Sequence, residues 1–239
     1  DCIGFNEFTL EPVCFKPIRS KRIVTPSPEV QPRERRHGRL WSDADDISIL
    51  LIGSAKKEQG GYEVDFPRAT IEAGVLAAGY QNRVHPVRDW LMDHHARWKA
   101  EGRPTGLMDR LPQEFLHGPD TPFHAASSAM LCLQAVARIF EPGCKVDTMA
   151  VVEGATGSRK STFWSVLFGG FVTELKADLD KTDRVIENMR GHWAIEMAEM
   201  AAAKRADANT LKSMLSSAVD QHRLAYARRE GRYPRQSIF

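Results

Sequence analysis

The stretch Gly154–Thr162, GATGSRKST, concentrates the residue types and spacing most suited to chemistry. A short apolar β run, Thr148–Val152, leads into it, and a helical segment, Ser161–Phe168, follows. In such a turn the backbone N–H groups converge on phosphate oxygens, while the helix points its positive end at them. Lys160 has the reach for the β- and γ-phosphates, and the Ser161 hydroxyl suits a place in a Mg²⁺ shell. The expected ligand is therefore ATP with Mg²⁺, held by Gly154, Gly157, Ser158, Arg159, Lys160, Ser161 and Thr162. The usual spacing is GxxxxGK[ST], and Arg159 stands where its second glycine belongs. That substitution requires negative φ at residue 159, or tolerated strain. The bland alternative is an incidental Gly/Ser/Thr turn before a helix.

Turnover would need acids beside the phosphates. The run His192–Glu199, HWAIEMAE, is an apolar β segment closing on Glu196, with Glu199 three residues later. A strand ending near Met197 puts both at the C-terminal edge of a sheet, where open α/β sheets bind ligands. Glu196 is the candidate metal-side acid, sharing the ion with Ser161, and Glu199 the candidate general base; the roles are exchangeable. Two solvated glutamates at a strand end are the alternative. Residues 222–235 hold Arg223, Arg228, Arg229, Arg232 and Arg235 against Glu230, with Tyr226 and Tyr233 interleaved. Such a segment suits a nucleic-acid backbone, an arginine finger, or simply a solvated hairpin.

These residues need elements to hold them. Helical spacing of apolar residues marks 67–80, 85–98 and 123–140, and Glu141-Pro142-Gly143 stops the last. Short β candidates are 148–152, 171–175, 192–197 and 236–239. Strands alternating with helices predict an α/β domain with a mainly parallel sheet flanked by helices. Arg19–Gly38 combines Pro26, Pro28 and Pro32 with many cations and predicts an extended arm. Gly102–Gly118, rich in glycine and proline, reads as a loop. The expected organisation is an arm and the end of a preceding domain over 1–40, a mostly helical accessory region over 41–115, and the nucleotide-binding core over 116–239. Asp43, Asp45 and Asp46 suit a helix N-terminus, and His85, His94 and His95, without ligand spacing, suit solvated helix positions.

Apolar and charged residues make up 42% and 27% of the 239, which allows a buried core. No apolar run reaches the roughly 20 residues of a membrane span. Cys2, Cys14, Cys132 and Cys144 are too scattered for a disulfide framework or zinc site, so reduced thiols and a cytoplasmic setting are expected. The chain opens on Asp1 rather than Met, as a fragment or processed piece would.

Asn82–Asp89 (NRVHPVRD) resembles the NxFHPVRDYL segment of the virulence-associated E family, the phage and plasmid-island primase-helicase ATPases. Asp120-Thr121-Pro122, Ala135–Lys145 (AVARIFEPGCK), the glycine loop, Trp193–Glu199 and Val219–Arg228 are similar to further blocks of that family, in family order. Gly4–Phe8 (GFNEF) resembles its pre-helicase segment. The resemblance implies a P-loop NTPase core of the AAA+ or superfamily 3 helicase kind. It also implies a homo-oligomeric ring in the full protein, single-stranded or forked DNA as partner, and a role in mobile-element replication. Lys160 and Ser161 carry over directly, and Glu196 and Glu199 match a WxxExxE pattern. Arg223 and Arg228 match basic positions of a DRYRxxYGR stretch in which Ala227 replaces glycine. The family's polar sensor run would follow Phe239. Two other functions fit the loop: a nucleotide-binding regulatory module with little turnover, and a P-loop small-molecule kinase.

Overall fold

The computed structural model describes residues 2–155, 157–179, 181–198, 208–222 and 230–239. The chain forms two compact units that part between Pro86 and Val87. Strands within residues 3–14 and 39–40 share a sheet with Arg83–Val84.

In the first unit, β1 (Ile3–Asn6) and β2 (Glu11–Cys14) form an antiparallel hairpin. The Asn6 side-chain oxygen accepts from the N–H of Phe8 at 2.9 Å and of Thr9 at 3.2 Å, which closes the turn locally. β3 (Arg39–Leu40) pairs with β2, and β4 (Arg83–Val84) lies parallel to β1. α1 (Asp43–Ser54) starts at Ser42, whose N–H donates to the Asp45 carboxylate at 3.0 Å. α2 (Arg68–Gln81) crosses β1 so closely that a Cβ on Gly79 would lie 2.9 Å from the Gly4 carbonyl oxygen. Only glycine allows that approach. His85 is buried, its ring 5.4 Å from that of Phe8, so it is a packed side chain rather than a solvated one.

Residues 19–38 contain one 3₁₀ turn, Pro32–Glu34, and little other regular structure. Their backbone is nevertheless held down. Ser27 is 2% exposed and Asp45 fully buried, and the Ser27 hydroxyl donates to Asp45 Oδ1 at 2.5 Å. Arg39 closes the cluster with two bonds to the same carboxylate, at 2.6 and 2.7 Å. A segment too polar to form a core of its own is thereby ordered by a buried ion pair.

The second unit carries α3 (Pro86–Ala100), α4 (Leu107–Leu116), α5 (Pro122–Phe140) and α6 (Lys160–Leu167). β5 (Val172–Glu174), α7 (Thr182–Met189), β6 (Ala194–Glu196), α8 (Ala208–Ser216), β7 (Val219–His222) and β8 (Gly231–Pro234) follow. α4 corrects the loop expected over 102–118. Its glycines and one proline flank the helix, and the other proline, Pro112, sits inside it. α5 starts on a Thr121 cap with Pro122 behind it, an arrangement that pre-forms the first turn. By length and composition alone α5 is the one helix among the described residues that qualifies to cross a membrane. It is partly covered: Arg138 is 1% exposed and the Ala135 carbonyl accepts the buried Trp193 indole N–H at 2.8 Å, while Phe123 and Leu133 stand exposed.

β5 and β6 pair in parallel, with Glu174 in register with Glu196. Ile238 bridges Ala194 on the far side of β6, also in parallel. Ala150 then donates its N–H to the Phe239 carbonyl at 3.3 Å. Residues 148–152, expected as a strand, run beside this sheet without forming a ladder of their own. Leu175, Leu179, Val185, Met189 and Ile195 form the apolar core beneath, with Leu211, Met214 and Phe239 packed against it. The described structure is mixed α/β with small sheets.

Candidate functional site

Gly157, Ser158 and Arg159 lead directly into α6. Gly157 has φ +85, with open space where a Cβ would stand. Arg159, the residue before the helix, has φ +60. Negative φ at this position, one of the two ways to accommodate an arginine there, is therefore not what the chain adopts. The residue sits in the left-handed region that normally selects glycine, at a cost of roughly 1–2 kcal/mol.

Lys160 folds its amino group back over the loop. It donates to the carbonyl oxygens of Gly154 and Ala155, both at 2.9 Å, and to the Ser158 hydroxyl at 3.1 Å. The cation thus sits among oxygen acceptors at the head of α6. One residue on, the Ser161 hydroxyl donates to Glu196 Oε1 at 2.6 Å. Glu196 ends β6, and Trp193, the residue before that strand, meets the Phe168 ring edge-on at 4.9 Å between centroids. The loop, the first turn of α6 and the end of β6 therefore converge on one point.

That point opens into a cavity of about 700 Å³. Its polar end is lined by Glu153, Gly154, Gly157, Ser158, Arg159, Lys160, Ser161, Thr162 and Glu196, and its apolar part includes Leu131, Val151, Trp164 and Phe239. A cavity of this size with polar groups gathered at one end suits a small organic ligand with an anionic terminus. A serine hydroxyl and a carboxylate oxygen in contact are hard donors of the kind that Mg²⁺ prefers. The donor set fits that ion, and the amino group beside it fits the phosphates it would accompany.

Of the residues singled out from sequence, the structure brings Gly154, Gly157, Ser158, Arg159, Lys160, Ser161, Thr162 and Glu196 around the cavity. Glu199, Arg223 and Arg228 lie outside the described residues. Arg235 is 5% exposed and paired with Asp220 through its Nη2 at 2.5 Å, so it secures the hairpin of β7 and β8 and is not offered to a ligand. Glu153 lines the cavity without having been singled out, and its signal in the sequence is only its place before Gly154. His94 and His95 are exposed on α3, and among the described residues no group of three His, Cys, Asp or Glu side chains is placed to hold a metal ion.

Comparison with known proteins gives one family match, to the virulence-associated protein E-like domain, over residues 94–239. No curated protein matches the chain significantly.

Proposed function

The chain belongs to the virulence-associated protein E-like domain family, and from that premise we propose that it is the ATP-binding part of a nucleic-acid motor, a P-loop ATPase of the helicase or translocase type. The observation that carries this reading is the meeting of Lys160, Ser161 and Glu196 at the polar end of one cavity. Lys160 would exchange its three loop acceptors for phosphate oxygens, and the N–H groups at the head of α6 would complete the cradle. Ser161 and Glu196 would hold Mg²⁺, which supplies charge neutralisation at the phosphates. Glu196 or Glu199 would orient the attacking water. The arginines near residue 225 would contact DNA or a neighbouring subunit's triphosphate in a ring. The biological setting implied is replication of a phage, plasmid or pathogenicity island.

A second reading is a nucleotide-binding regulatory module with little turnover. Arg159 favours it, because an arginine held at positive φ strains the loop that must close on the γ-phosphate. A small-molecule kinase has no specific support among the described residues.

The decisive measurements are affinity for a fluorescent ATP analogue and ATPase activity of the full-length protein with single-stranded DNA. Lys160→Ala should weaken binding about tenfold or more, the scale of one charge-assisted contact. Unchanged affinity would remove the phosphate loop from the argument. Binding without DNA-stimulated turnover would leave the regulatory reading in place of the motor.

A further inference from the structure

Residues 16–39 carry eight lysines and arginines against Glu29 and Glu34, an excess of six positive charges in a chain whose formal net charge is +2. Charge at that density in a disordered tail would mean little, but this segment is ordered. The buried Ser27, Thr25 and Asp45 pin it; Arg39 pairs with Asp45, and Arg19 with Glu29 and the Thr25 carbonyl. Four prolines, Pro17, Pro26, Pro28 and Pro32, stiffen it further.

The fold then adds cations from elsewhere in the first unit. Arg22 Nη1 donates to the Glu58 carbonyl oxygen at 2.5 Å, which ties the arm to the turn Lys57–Gln59. A Cβ on Gly60 would lie 3.7 Å from both Arg22 Cβ and Ser20 Oγ, so the two segments run in contact. Lys21 and Arg22 are thereby gathered with Lys56 and Lys57, all four exposed, although more than 30 residues separate the pairs. Tyr62, 67% exposed, presents a ring in the loop that follows the turn. Of the nearby carboxylates, Glu63 is turned onto the Lys57 N–H at 3.3 Å.

We propose that this edge of the first unit, centred on Lys21, Arg22, Lys56 and Lys57, is a contact site for a nucleic-acid backbone, with Tyr62 available to stack on a base. Exposed cations gathered from an ordered arm and the turn beside it match a row of phosphates. A membrane surface is the poorer match. Insertion calls for an amphipathic element with a continuous apolar face, and here the exposed apolar groups of the arm and the 61–67 loop, Val24, Tyr62, Val64 and Phe66, stand on irregular backbone. The site lies wholly in the first unit and does not depend on the nucleotide-binding reading.

The test is binding of the full chain to a fluorescent 20-nucleotide dT oligomer, without nucleotide, across a salt series. Replacing Lys21, Arg22, Lys56 and Lys57 together by alanine should weaken binding at least tenfold. It should also make the slope of log K against log salt shallower by up to about 3, at about 0.7 per phosphate contact. Ser27→Ala, which loosens the arm but removes no cation, should weaken binding severalfold. Affinity and slope unchanged in the quadruple variant would overturn the proposal, as would tighter binding to phosphatidylserine vesicles than to the oligomer at equal salt. Should that variant not fold, Lys21→Ala with Lys57→Ala decides, and unchanged affinity and slope in that double variant overturn the proposal. Lys160→Ala run in parallel separates the two sites, since it should spare oligomer binding while losing the nucleotide.

Discussion

The Ser161 hydroxyl and the Glu196 carboxylate meet at 2.6 Å although 35 residues separate them in the chain. One belongs to the first turn of α6 and the other to the end of β6, so their contact measures how well two different elements are placed. If the pair is the ion-holding part of a nucleotide site, Ser161→Ala should weaken binding of the ATP analogue about tenfold in Mg²⁺ and leave it unchanged in EDTA. Equal losses in both conditions would mean that the serine acts on the loop rather than on the ion.

Arg159 offers a test of strain. Arg159→Gly places in the left-handed region the residue best suited to it, and should stabilise the protein by about 1 kcal/mol. For a chain of this size that raises the melting temperature by about 2–4 °C. A lower melting temperature would show that the arginine side chain contributes more than its backbone costs.

The buried pair in the first unit gives a pH dependence with a definite sign. Burial alone would raise the Asp45 pKa, but hydrogen bonds from Arg39, Ser27 and Ser42 outweigh it and hold the carboxyl below its ordinary value. Its contribution is therefore present above the unfolded value of about 3.9 and is lost as the pH falls through the lower folded value. Asp45→Asn should cost about 3 kcal/mol at pH 7. In denaturant titrations the gap between wild type and variant should narrow once the pH drops below about 4, and a gap constant from pH 7 to pH 3 would contradict the assignment.

Cys14 reports on the same region. Burial pushes its thiol up to about 11, although Arg39 pulls the other way, and its Sγ–H donates to the Lys16 carbonyl at 2.9 Å. At pH 8 its thiolate fraction is on the order of 10⁻³. A disulfide reagent should label the exposed Cys2 within seconds and Cys14 only through local opening. Asp45→Asn should speed the second phase at least severalfold, as seen by mass spectrometry of the labelled peptides.

Much of the fold was legible where one local rule governs. The helices at 68–81, 86–100 and 122–140 follow from apolar spacing and their stop signals. The loop residues stand out because phosphate chemistry demands glycines, a lysine and a hydroxyl at fixed offsets. α4 was hidden because Pro112 and its flanking glycines give the composition of a loop, while the packing of α4 on α5 supplies the stability. The order in residues 19–38 was hidden for a different reason. Ser27, Arg39 and Asp45 are unremarkable one by one, and only their burial together makes a clamp. The gathering of Lys56 and Lys57 with Arg22 is likewise a product of tertiary structure, with no trace in local spacing.

The segment around Ile238 has a mechanical consequence. It lies between β6, which ends on Glu196, and residue 150, which leads toward the loop, through Ile195 N–H to Ile238 O at 2.9 Å and Ala150 N–H to Phe239 O at 3.3 Å. One strand spacing of roughly 4.8 Å and one further backbone hydrogen bond therefore link the two halves of the site. The segment is a spacer in the sense of a machinist's shim: a tilt or slide there is delivered straight to the gap between serine and carboxylate. Force applied at residues 236–239 would thus tune the cavity from its apolar wall, where Ile238 and Phe239 line it.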